Sequence, residues 1–186
     1  MLNNTLKLGL LVAAVAVAVA ASSSVFADNH TFSLGYAQTE VEGFTDLKGI
    51  NAQYRYEWDS PFSLLASVSF MERKATMVDA PDEIYKTKVE YTSFLLGPAY
   101  RFNNVVSAYA LVGVAKIDSK DDEYDDVGFV ESESNSATEL AYGAGVIVNP
   151  IQNLSINVGY EGSKLTSKNS DKQAFNGFNV GVGYRF

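Results

Sequence analysis

The 186-residue chain contains no cysteine and only one histidine, His30. The first absence removes disulfide frameworks, thiol nucleophiles and zinc ribbons; the second leaves too few imidazoles for a histidine-built metal cluster or an ordinary Ser-His-Asp triad. Basic residues are also scarce. Lys and Arg number 14 against 22 Asp and Glu, a net charge of −8 that grows more negative if Lys7 is lost with an export signal. A general nucleic-acid binder carries the opposite balance. The one long apolar run, Leu8 to Ala21, falls short of the roughly 20 residues that a spanning helix needs. With only 4 Pro but 11 Tyr, 11 Phe and 14 Gly, the composition suits strands, whose pleated faces favour aromatic residues.

Residues 1–27 have the anatomy of an export signal. A short polar start ends in Lys7, the apolar run follows, and the small-residue stretch Ser22 to Ala27 closes it. Cleavage after Val25-Phe26-Ala27 is expected, leaving one domain over residues 28–186, with no cysteine to carry a lipid anchor.

From Phe32 onward, apolar residues recur at every second position, the spacing that places one set on each face of a strand. Phe32, Leu34 and Tyr36 oppose Ser33, Gly35 and Ala37. Ile50, Ala52, Tyr54, Tyr56 and Trp58 oppose Gly49, Asn51, Gln53, Arg55 and Glu57. Six more segments follow the rule, built on Phe62 to Phe70, Thr92 to Phe102, Val106 to Val114, Leu140 to Val148, Leu154 to Tyr160 and Phe178 to Phe186. Connections at Asp59-Ser60-Pro61, Asn103-Asn104 and Asn149 to Asn153 are short; those at Glu42–Asp46, Ala75–Lys86, Asp118–Ser136 and Lys164–Lys172 are longer and polar. Eight amphipathic strands with short turns on one side predict an all-β fold, an eight-stranded antiparallel transmembrane β-barrel of up-and-down topology in a Gram-negative outer membrane. The large apolar face meets lipid, with aromatics toward its ends as a girdle, and the small polar face lines the lumen. A soluble ligand-carrying barrel would invert that arrangement. Pro98, awkward in a strand, is expected at a bulge or local break.

Two sets of charges stand out. The third long connection carries Asp118, Asp121, Asp122, Glu123, Asp125, Asp126, Glu131 and Glu133, with Lys120 as its only base. Such a surface would present an acidic face to a basic partner or collect divalent cations, or would simply keep a loop solvated. An EF-hand is excluded, because Asp126 stands where glycine is required. By parity, Arg55, Glu57, Arg73, Arg101, Glu139, Glu161 and Arg185 project into a lumen just wide enough for side chains to fill, where they should pair as a polar network. A narrow channel is the rival. No catalytic set is evident, because His30 lies at the entrance of the first strand without an ordered serine and carboxylate beside it in sequence. Nothing calls for a cofactor.

Six short motifs, in order and at compatible spacing, are Gly35-Tyr36-Ala37-Gln38, Tyr54-Arg55-Tyr56-Glu57, Gly97-Pro98-Ala99-Tyr100-Arg101, Tyr142-Gly143-Ala144-Gly145, Asn149-Pro150 and the terminal Gly181-Val182-Gly183-Tyr184-Arg185-Phe186. Together they resemble the OmpX, Ail and Lom family of small outer-membrane proteins. The resemblance implies a monomeric, non-enzymatic barrel with a polar interior and strands prolonged beyond the membrane on the cell-surface side. It also implies adhesion to host cells, invasion or resistance to serum complement, carried by the loops. The partners implied are outer-membrane lipid and lipopolysaccharide, and host-cell or matrix proteins. An envelope-integrity or stress-response role is the alternative, and a lipid A-modifying enzyme the rival from another class. Gly181, Tyr184 and Phe186 resemble the C-terminal signal read by the barrel-assembly machinery.

Overall fold

The computed structural model describes residues 30–41, 46–80, 83–125, 128–166 and 172–186. The export segment lies outside them, as do most of the first long connection and Asp126. Eight strands follow one another: β1 (His30–Val41), β2 (Leu47–Glu57), β3 (Phe62–Ala80), β4 (Glu83–Arg101), β5 (Val106–Asp125), β6 (Gly128–Ile151), β7 (Leu154–Thr166) and β8 (Lys172–Arg185). Each pairs antiparallel with its neighbours in sequence, and β1 pairs with β8, closing the barrel. Closure is what a strand needs in hydrocarbon, because every backbone N–H and C=O must find its partner within the protein.

The alternation sorts side chains as the period of two demands. Leu34, Ile50, Phe94, Val112 and Val180 are exposed on the outside, whereas Ser33, Asn51, Ser93, Leu111 and Asn179 are buried. The lumen is less uniformly polar than its composition suggests. Leu65, Tyr91, Leu95, Tyr109, Leu111 and Ile147 are buried there among the serines and asparagines. Glycines make the room: the Tyr109 hydroxyl lies where Gly145 and Gly159 would carry a Cβ. Large residues from β5 thus fill space that small residues on β6 and β7 leave open, as small barrels require. At the closing seam, Gly35 of β1 stands opposite Gly181 of β8, and a Cβ on Gly35 would run into the Val180 backbone.

The short turns are held by their own side chains. Asn103 Oδ1 accepts hydrogen bonds from the amides of Val105 and Val106, both at 2.8 Å, closing the β4–β5 turn. Asn153 Nδ2 donates to the Arg185 carbonyl at 3.0 Å, tying the β6–β7 turn to the end of β8.

Three sequence expectations need correction. Ala75–Lys86 and Asp118–Ser136 are not loops: β3 and β4 pair up to Ala80 opposite Glu83, and β5 and β6 up to Asp125 opposite Gly128. Lys164–Lys172 is also shorter as a connection, since Thr166 still pairs with Lys172. Pro98, by contrast, stands at a local break, one of the two outcomes expected of it, and not at a bulge. The β4–β5 register is the same on both sides of it, and pairing with β5 merely lapses at residues 97 and 98 while Leu64 of β3 still faces Pro98. A residue without an N–H loses one ladder bond without shifting the strand.

Candidate functional site

The end with the short turns is the periplasmic one by the rule for outer-membrane barrels, so the long hairpins face the cell exterior. Outward aromatics form two rings. Tyr54, Trp58, Phe62, Tyr100, Phe102 and Tyr184 stand near the periplasmic end; Tyr36, Tyr142, Tyr160 and Phe178 stand nearer the outer one. The Tyr160 hydroxyl donates to Asn176 Oδ1 at 2.7 Å, satisfying its polar tip at that boundary.

Above the outer ring the outward positions turn ionic. Lys74 and Lys88 lie 3.3 and 3.7 Å from Glu72, Lys88 lies 2.6 Å from Glu90, and Lys116 lies 2.7 Å from Asp118. Along β3 the distance from Phe62 to Glu72, at ~3.4 Å per residue and ~40° of tilt, is about 26 Å of height. That matches the apolar band of an outer-membrane barrel, so the charges begin where hydrocarbon ends. The sequence reading missed this belt, except for Asp118, because its members fall among the residues it assigned to loops or left unassigned.

Beyond the belt, β3 to β6 continue as a four-stranded sheet. Pairing of β2 with β3 ends at Lys48 opposite Glu72, yet β3 runs on to Ala80. Pairing of β6 with β7 begins at Ala141 opposite Ser163, yet β6 starts at Gly128. Among the described residues, stretches 73–80 and 128–134 therefore have no strand partner on their outer sides. These are two open edges of the kind that accepts another chain. The register sets Asp121 opposite Glu133 and Glu123 opposite Glu131, so four of the predicted acidic residues form two like-charged cross-strand pairs. Asp118, counted among the same acidic residues, stands apart: both its oxygens lie 2.7 Å from Lys116 Nζ. Burial pulls its pKa upward, but hydrogen bonds from Lys116 and Ser136 and the charges of Lys116 and Lys120 hold it below the ordinary carboxylate value.

The seven lumenal charges do not form one network. Glu57 gathers three arginines: Arg55 Nη2 at 3.0 Å, Arg185 Nε at 2.8 Å and Arg101 Nη2 in close contact. Arg55 also donates to Ser63 and Ser107 at 2.8 and 3.2 Å. Glu161 lies elsewhere, accepting from Ser69 at 2.9 Å and from the Tyr91 hydroxyl at 2.8 Å, with no ion pair among the described residues. Asn51 braces that group by donating to Ser67 and Ser69. Arg73 and Glu139 sit nearer the exterior; Arg73 Nε is buried without a hydrogen-bond partner. The sequence pattern did not single out Tyr91, which lies one residue before the Thr92–Phe102 segment and donates to Glu161.

His30 belongs to the periplasmic aromatic ring. Its Nδ1 is 2.6 Å from the Tyr54 hydroxyl, and its ring centroid is 5.0 Å from that of Tyr56. At the other terminus Tyr184 and Phe186 meet edge to face at 5.1 Å.

Comparison with known proteins agrees with this architecture. The family model described as outer membrane protein beta-barrel domain matches residues 9–186. The virulence membrane protein PagC of Salmonella typhimurium is 43% identical over 168 residues, covering 86% of this chain and 88% of that protein. The attachment invasion locus protein of Yersinia enterocolitica is 36% identical over 191 residues, covering 100% of each. Among solved structures, Ail of Yersinia pestis in complex with the heparin analogue sucrose octasulfate superposes with a TM-score of 0.71 at 32% identity, covering 87% of this chain and 100% of that one.

Proposed function

The chain belongs to the OmpX, Ail and Lom family of non-enzymatic outer-membrane β-barrel proteins, and on that premise we propose that its work is adhesion to host surfaces or protection against serum, performed by the extracellular sheet. The observation that carries this reading is the extension of β3 to β6 beyond the ionic belt with open edges at 73–80 and 128–134. Everything below the belt answers to lipid on one face and to packing on the other. A strand edge held rigidly outside the cell offers unpaired backbone groups to an extended segment of a host protein, which adds as a further strand. Side chains then choose among partners. With Asp121, Asp122, Glu123, Asp125, Glu131 and Glu133 on β5 and β6, the sequence favours a basic segment. A sulfated sugar such as the heparin analogue bound by Ail would need a basic cluster, and Lys74, Lys88 and Lys116 here are already paired with Glu72, Glu90 and Asp118.

The ionic belt stands at the level of the outer-leaflet headgroups, and lipopolysaccharide is the lipid we assign to that contact. The test of the main reading uses purified barrels and host-cell matrix components. Native protein should bind one or more of them in a salt-sensitive manner, and a version whose β3–β4 and β5–β6 extensions are exchanged for short turns should not. Equal binding by both would move recognition to the barrel and favour an envelope-integrity role.

A further inference from the structure

At the periplasmic mouth three arginines share one buried carboxylate. Glu57 is one anion facing Arg55, Arg101 and Arg185. Glu57 and Arg55 are 3% exposed, but Arg101 and Arg185 remain 28% and 19% exposed and border a pocket of about 470 Å³. The pocket is completed by the turn residues Asp59, Ser60, Asn103 and Asn104. Among the described residues no ion pair joins either arginine to Asp59, so Glu57 is the carboxylate both of them contact. Donors are in surplus. Each guanidinium offers five N–H groups, and Arg185 Nε, although buried and beside Glu57, has no properly directed hydrogen bond.

Two part-exposed guanidiniums that share Glu57 with Arg55, converging from β4 and β8 on a concave site lined with side-chain amides, match a tetrahedral oxyanion. Arginine forks engage such groups bidentately. We propose that the periplasmic mouth binds a phosphate-class oxyanion, held by Arg101 and Arg185 with help from Asn103 and Asn104. This site lies at the opposite end of the barrel from the surface proposed for adhesion and does not depend on it. The phosphate has two sources at that depth: free inorganic phosphate, or the headgroup of a phospholipid in the inner leaflet, whose level is marked by Trp58, Phe62 and Tyr100.

The experiment uses the full barrel refolded in a phosphate-free maltoside detergent, with the side-chain Nε–H resonances of Arg101 and Arg185 followed by NMR. Inorganic phosphate and short-chain phosphatidylethanolamine are titrated separately, with chloride at matched ionic strength as the control. Saturable shifts confined to the mouth are expected from at least one probe, and the probe that saturates at lower concentration identifies the source. Arg101→Gln should weaken that binding about tenfold or more. Asp59→Asn, on an exposed turn where folding is not at stake, should tighten it about threefold by removing a repelling charge. Linear shifts that chloride reproduces would overturn the site, and so would an affinity indifferent to Asp59→Asn.

Discussion

Glu57 and Glu161 are both buried carboxylates, yet their neighbours assign them opposite energetics. Glu57 compensates three guanidiniums. Replacing it by Gln leaves those charges facing one another and should cost about 3 kcal/mol or more, read as a lower urea midpoint in the mobility of unboiled protein. Glu161 only accepts hydrogen bonds from Ser69 and Tyr91. Glutamine keeps an accepting oxygen, so Glu161→Gln should change stability by less than about 1 kcal/mol; a loss as large as that at Glu57 would reveal an unrecognised cationic partner. A third expectation concerns Phe186. If Gly181, Tyr184 and Phe186 act as the assembly signal, deleting Phe186 should lower the amount of folded barrel in the membrane and raise periplasmic degradation, well beyond what Phe94→Leu does on the lipid face. Equal effects would reduce the terminus to one more lipid-facing strand end. Parity alone placed Arg55, Glu57, Arg101 and Arg185 in the lumen. It could not say which would meet, because the partners come from strands far apart in the chain whose relative height is set by the stagger of the closed sheet.

Within an element, the legible part of the sequence stops where lipid stops. Between the two aromatic rings, one face must be apolar and the other small or polar, and the resulting period of two made every strand's facing readable. Beyond the ionic belt both faces meet water. Asp118 to Asp125 and Gly128 to Ser136 therefore lose the alternation while remaining paired, and a charge-rich strand reads as a loop. The fold class and the lipid band were written in the alternating pattern; the four-stranded extension was not, and only the resemblance to relatives implied prolonged strands. The Lys116–Asp118 pair gives the extension a titratable element. Because the folded state holds the Asp118 pKa below its ordinary value of 3.8, the stabilisation is present above that value and is lost as pH falls through the lower, folded one. Amide exchange near Lys116 and Ser136 should accordingly quicken as pH is lowered from about 5 toward 3, after correction for intrinsic rates, and Asp118→Asn should abolish that part of the change. An Asn variant that responds like the native protein would show that the pair does not hold the strands.

For the whole molecule, the barrel is a rigid support whose lumen is filled. Inward Tyr91, Leu95, Tyr109 and Leu111, together with the Glu57 cluster, occupy the interior of only eight strands. Planar bilayers containing the protein should show no stable conductance; steady channels altered by Arg55 or Glu161 substitutions would turn the lumen from packing into a pathway. With side chains packed in the lumen and the outer face turned to lipid, the surface sheet is what remains for recognition outside the cell. The most direct test rests on its register. Lys120 stands opposite Ser134, so residues 121–133 can be exchanged for an Asn-Gly turn that closes the shortened hairpin in place. Bacteria displaying equal surface amounts of native and shortened protein are then compared for attachment to host cells and survival in serum. The account predicts that the shortened barrel assembles with its heat-dependent gel shift intact while attachment or survival falls to the level of cells lacking the protein; full activity of the shortened form in both assays would contradict it.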